Sequence, residues 1–152
     1  LAPDSNSCDH RPVPDAALTR LATAVLQVPR PERALVFGCG DGEPVLFLAR
    51  EFPSVRVRGV DPSAERVRAA SARVGLDPEG RVAFKQAKSG KLPFPDDFFD
   101  LVVIFEGRPA PAEIARVMRP LAPLIIVSSP PQGRLARAKE RLWRRRLPQS
   151  GI

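Results

Sequence analysis

Thiol and imidazole are nearly missing from this 152-residue chain. Its two cysteines, Cys8 and Cys39, lie far apart and in no metal or disulfide spacing, and His10 is its one histidine. That excludes a disulfide framework, and without clustered ligands no metal site is expected. Long apolar runs are missing too. None approaches the roughly 18 residues of a membrane span, so no membrane is expected among the partners. Residues 1–7 lack the basic start and apolar stretch of a signal peptide. These absences together point to a reducing, cytoplasmic protein.

What is present reads as a globular domain. Hydrophobic residues make up 43% and charged residues 27%, near the average of folded proteins and too apolar for disorder. The length fits one domain. A net charge of +7 suggests nucleic acid until it is located. Residues 133–152 carry seven Arg and Lys against Glu140, a net +6, which leaves +1 for residues 1–132. The basic character belongs to one C-terminal segment. Proline is abundant, at 18 residues, and many prolines fall between apolar stretches, where they stop helices and strands.

Residues 1–14 are polar and contain proline, and read as a flexible N-terminal arm. From Asp15, a candidate N-cap, Leu18, Leu21, Ala22, Val25 and Leu26 recur at helical spacing until Pro29. Residues 34–37 are a short continuous apolar run, as in a strand buried on both faces. A Gly-rich turn and a helix over 45–52 follow. Strands are expected over 55–60, 82–86, 101–105 and 124–127. Helices are expected over 63–74, with Ser63 as N-cap and Gly75 as stop, over 112–118, and over 133–147. Strands alternating with helices predict an α/β fold, a doubly wound, mainly parallel sheet in the order 3-2-1-4-5. The domain is expected over 15–132, with 133–152 a basic helix packed on it. Leu135, Ala138 and Leu142, with Trp143 and Leu147 beside them, form the expected packing stripe, and the arginines the wet face. A nucleic-acid or acidic partner on those arginines is the other use such a helix could have.

The informative stretch is Leu35-Val36-Phe37-Gly38-Cys39-Gly40-Asp41-Gly42. A buried strand runs into glycines that let a ligand touch the backbone, and a helix N-terminus with free N–H donors follows. A dinucleotide fingerprint needs glycine where Glu43 stands, so that cofactor is disfavoured. Asp61 ends the next strand, 21 residues after Gly40. An acid there can accept both hydroxyls of a ribose lying over the turn; helping to start the next helix is its plainer alternative.

The third piece is Leu92-Pro93-Phe94-Pro95-Asp96-Asp97-Phe98-Phe99-Asp100-Leu101-Val102-Val103. With it, residues 34–129 resemble the class I S-adenosylmethionine-dependent methyltransferases, of the small type reading VLDVGCGTG…VGVDPS…LPFPDxSFDLVV…RPGG. Several motifs match in order and spacing. The resemblance implies a Rossmann-like sheet, seven-stranded in the family and here truncated after a fifth strand and a final helix. It implies S-adenosylmethionine as cofactor and methyl transfer to an unidentified acceptor. It places Gly38, Cys39, Gly40 and Gly42 along the methionine and ribose portion, Asp61 on the ribose hydroxyls, and Pro62 and Ser63 beside the adenine. The family's Gly-Asp-Ala, near the adenine amino group, aligns with Ala87-Lys88-Ser89, which adds Lys88 and Ser89 to the cofactor-binding set.

Three departures accompany the likeness. Val36 replaces an acid two residues before the first glycine. Lys88 is a donor where the family has an acceptor. Pro120-Leu121-Ala122 replaces Pro-Gly-Gly. Val36, Lys88 and the two strands missing after the fifth carry the rival reading, a degenerate methyltransferase-like domain that binds or scaffolds without catalysis. No general base is evident, and the oligomeric state is not readable. Residues 89–92 fail as a phosphate loop, with Lys85 and Leu92 where Gly and Ser or Thr belong. Nothing in the spacing pairs Cys39 with His10. Asp96, Asp97 and Asp100 read as a solvated turn. Glu106 is the one acid where a substrate would approach, although a plain solvated loop is its favoured role.

Overall fold

Two short apolar strands buried on both faces set the architecture. In the computed structural model, which describes residues 15–88, 90–127 and 132–148, these are β1 (Arg33–Phe37) and β4 (Leu101–Ile104). Residues 34–37 and 101–104 are all buried, as expected of central parallel strands covered on both sides. They pair with each other in register Leu35↔Val102. β2 (Arg56–Asp61) and β3 (Val82–Gln86) extend the sheet on one side and β5 (Leu124–Ile126) on the other, giving the parallel order β3-β2-β1-β4-β5. This is the expected order.

Side chains alternate across the sheet and feed two cores. Ala34, Val36, Leu101 and Val103 pack with Leu21 and Val25 of α1 (Asp15–Val25) and with Val45 and Leu48 of α2 (Glu43–Glu51). Leu35, Phe37, Val102 and Ile104 pack with Ile114 and Val117 of α4 (Pro111–Val117), and with Leu147. α3 (Ala64–Val74) lies along β2 and β3. Its N-cap is Ser63, whose hydroxyl accepts from the Arg66 N–H, and its C-cap is Gly75, both as the sequence suggests. α2 begins two residues before its expected start. Gly42 caps it in a left-handed conformation and Pro44 sits in the first turn, where its missing N–H costs nothing.

From β3 to β4 the chain crosses without a helix. Arg116 of α4 holds this loop by donating to the carbonyls of Leu92 and Phe94 and to the carboxylates of Asp96 and Glu113. The Leu92 N–H donates to Glu113 as well, at 2.8 Å. These bonds hold the Glu113 carboxyl down at about 2, the Arg116 bond being the largest cause. Phe94, Phe98 and Phe99 form an edge-to-face cluster beneath. Asp100 departs from its expected role in a solvated turn. It accepts the Glu32 and Arg33 N–H groups at 2.8 and 2.9 Å and fixes the start of β1.

α5 (Arg134–Arg146) corrects the expected packing stripe. Leu135 is 71% and Leu142 54% exposed. The inward face is Glu140, Trp143 and the following Leu147. Glu140 is buried between Arg108 at 2.8 Å and Arg144 at 2.9 Å, and the Trp143 indole N–H donates to the Pro109 carbonyl at 2.8 Å. The two bonds to Arg108 and Pro109 rotate the helix away from its most apolar strip, because an indole or carboxylate taken out of water without a partner costs more than an exposed leucine. The expected arm over residues 1–14, with Cys8 and His10, lies outside the described residues, as does Ser89.

Candidate functional site

β1 delivers the chain to the carboxyl edge of the sheet, where it turns back at Gly38. The Gly38 and Cys39 N–H groups both donate to the Val60 carbonyl, at 2.8 and 3.2 Å, which binds the turn to the end of β2. A Cβ on Gly38 would stand 2.0 Å from the Glu106 carbonyl oxygen, so only glycine lets the β4 loop approach this closely. Gly40 differs. Its φ is +54°, and no heavy atom lies within 4 Å of where its Cβ would be. The backbone there faces open space.

Asp61 ties this opening together. It is buried, 2% exposed, and its two oxygens accept from different segments. Oδ2 takes the Gly40 N–H at 3.1 Å and Oδ1 the Ser63 N–H at 2.9 Å. Its own carbonyl accepts from the Ala87 N–H at 3.1 Å, and Gln86 donates to the Pro62 carbonyl at 3.0 Å, so β3 joins the same edge. Gly38, Cys39, Gly40, Asp61, Pro62 and Ser63 are thus brought together, while Gly42 closes the turn through its N–H to the Cys39 carbonyl at 2.9 Å and packs against Phe84 and Ala70. Lys88 follows at the end of β3, exposed. The Ser63 hydroxyl is committed to capping α3. Cys39 is fully buried, and burial, then the neighbouring Asp61 charge, push its thiol up to about 12. It can offer backbone but no thiolate.

Two arginines of α3 were not legible as site residues. Arg66 lies 3.8 Å from Asp61 and 3.3 Å from Glu106, spanning the ends of β2 and β4. Arg73 pairs with Asp41 at 3.0 Å and Glu43 at 2.7 Å, and its hydrogen bond is the main reason the Glu43 carboxyl is lowered. The available signal was spacing: positions seven apart share a helix face. Glu106 is therefore paired with Arg66, which its expected place in a plain loop did not include. Val36, where the resemblance expects an acid, is fully buried among Val103, Leu101 and Val45. A groove of about 590 Å³ lies elsewhere, between α1 and β5. Thr23, Gln27 and Ile125 are among its walls, which carry no carboxylate, thiol or imidazole.

Comparison with known proteins decides the family. The sequence profile described as a methyltransferase domain matches residues 34–123. The chain belongs to the methyltransferase domain family. This methyltransferase domain is 33% identical over 132 residues to 27-O-demethylrifamycin SV methyltransferase of Amycolatopsis mediterranei, covering 76% of this chain and 48% of that one. It is 33% identical over 137 residues to methyltransferase GfsG of Streptomyces halstedii, covering 88% and 47%. The chain thus spans about half the length of the curated relatives it matches. Among solved structures, the [4+2]-cyclase SpnF is 29% identical with a TM-score of 0.59, covering 73% of this chain and 43% of that one. The methyltransferase fold, the parallel sheet and the strand order agree with the family's cofactor, S-adenosylmethionine. No helix among the described residues is long and apolar enough to cross a membrane.

Proposed function

We propose that this domain holds S-adenosylmethionine over residues 38–42 and takes part in methyl transfer to an acceptor. The observation that carries the reading is Asp61, buried at the end of β2, bonded to the Gly40 N–H, beside open space at Gly40. Each Asp61 oxygen takes one backbone N–H and keeps acceptor capacity for a ribose hydroxyl. Gly40 admits the ligand to the backbone, and Gly38 and Cys39 wall the turn with main chain. Pro62 is exposed next to Asp61, placed to flank the adenine, with the Ser63 backbone behind it. Lys88 follows β3 on the adenine side, where it can donate but not accept. When bound, the cofactor supplies a methyl made electrophilic by its sulfonium. The protein's part is then to hold acceptor and methyl in line and close together, which lowers the entropic part of the barrier. Arg66 and Glu106, across the mouth, are the charged side chains positioned to orient an incoming group.

We place the domain at 15–132 with 133–152 as an appended basic segment. The free, buried Cys39 suits a reducing, cytoplasmic setting. A second reading, binding or scaffolding without methyl transfer, is favoured by Val36 and Lys88, two positions without the family's acids. Calorimetric titration with S-adenosylmethionine tests the site. Saturable binding is expected for the wild type, and loss of it in Gly40→Asn, whose side chain tolerates a positive φ but fills the open space. A wild type that gives no binding would overturn the proposal.

A further inference from the structure

The outward face of α5 has an unusual order of side chains. Its inward face is settled by Glu140, Trp143 and Leu147. On the opposite side, at about 3.6 residues per turn, Ala138, Leu142 and Leu135 form one strip. Arg134, Arg141 and Arg145 run along one flank of that strip, and Lys139 and Arg146 along the other. All eight residues are exposed. Among the described residues, Arg144 is the cation of this helix paired with an acid, through Glu140. The helix is 13 residues long and presents an apolar strip between two basic rails.

We propose that this face of α5 is a contact surface for an anionic lipid bilayer, the helix lying flat in the interface. An interfacial helix needs apolar side chains that reach the acyl boundary and cations level with the headgroup phosphates, and this order supplies both. Nucleic acid is matched less well, because its phosphates reward cations but would cover Leu135 and Leu142 without offering them an apolar partner. A protein partner would have to bring both a hydrophobic groove for the strip and acids along the two rims of that groove. The lack of a membrane-spanning run leaves this contact untouched, since a surface helix spans nothing. The proposal is independent of the cofactor reading.

The test is co-sedimentation of the full chain with vesicles of phosphatidylcholine alone, or of phosphatidylcholine and phosphatidylglycerol in equal parts. Wild type is expected on the mixed vesicles only, with binding that weakens as salt rises. Arg134→Gln/Arg141→Gln/Arg145→Gln should lower the partition roughly 100-fold, and Leu135→Gln/Leu142→Gln roughly tenfold or more. Neither variant should change the melting temperature, because these side chains are exposed. Equal binding to both vesicle types would overturn the proposal. So would a leucine variant that binds like wild type, or one that melts early, which would make the strip a packing face. Single-stranded RNA bound equally by wild type and the leucine variant, in place of vesicles, would assign the face to nucleic acid instead.

Discussion

Asp61 and Asp100 make the same bonds at opposite ends of the sheet. Asp61 accepts from Gly40 and Ser63 at the carboxyl edge, and Asp100 from Glu32 and Arg33 where β1 begins. Each gives one oxygen to each of two backbone N–H groups, and each fixes one end of β1. What separates them is their surroundings. Beside Asp61 stand a glycine facing open space, a helix N-terminus and the ends of three other strands' loops. Asp100 completes a tight join with ordinary backbone. In open α/β sheets the carboxyl edge is where loops diverge and ligands find room. A carboxylate holding backbone donors is therefore not itself a site; adjacent space makes it one.

The same substitution at both positions sharpens this contrast, and it carries the largest expected effects. Asn keeps one acceptor oxygen and turns an amide nitrogen toward the second N–H. Asp61→Asn and Asp100→Asn should each lose about 1–2 kcal/mol of stability, the scale of a buried donor left unpaired. That corresponds to a melting temperature lower by roughly 2–8 °C at this chain length. Only Asp61→Asn should also weaken S-adenosylmethionine in calorimetry, by roughly tenfold or more, the scale of a charged acceptor bond. If Asp100→Asn weakens binding as much, the affinity loss reports on the fold and Asp61 is not a ligand contact.

Glu113 extends the contrast to a carboxylate that holds a loop. It accepts the Leu92 N–H and two Arg116 nitrogens, and its carboxyl is lowered from 4.5 to about 2 in the folded protein. A depressed carboxyl contributes stability above its unfolded value, and that contribution is lost as pH falls through the folded value. Denaturant midpoints of wild type and Glu113→Gln should therefore differ by a constant amount above about pH 5 and converge as the pH falls toward about 2. Curves that stay parallel to pH 2 would mean the clamp does not depend on the charge.

The smallest effect belongs to Leu121. It stands where the resemblance expects a glycine, has φ +65° and is 86% exposed. Leu121→Gly should relieve left-handed strain of about 1–2 kcal/mol at an entropic cost of about 0.5–1, a net gain near 0.5 kcal/mol. Thermal melting can read it. A loss instead would show that the Leu121 side chain packs against something its exposure does not reveal.

Much of the fold was legible because its signals are local. Continuous apolar runs marked β1 and β4, Ser63 and Gly75 marked the ends of α3, and alternation with helices gave the strand order. The Gly turn and Asp61 were legible as a pair because the strand–helix–strand unit between them returns Asp61 to the turn. The Arg66–Glu106 pairing and the role of Asp100 were not, because these contacts join residues 40 or more apart in the chain. Nor was the face that α5 buries. Periodicity selects the most apolar strip, but the helix turns toward the Pro109 carbonyl and Arg108, partners for Trp143 and Glu140 that the helix's own sequence does not contain. The sequence by itself determined the elements, their order and the Gly–Asp pairing, since these follow from nearest-neighbour sterics and burial period. Only the tertiary structure decided which polar groups meet and which leucines face water, because directional bonds between distant segments outweigh a strip of exposed apolar surface.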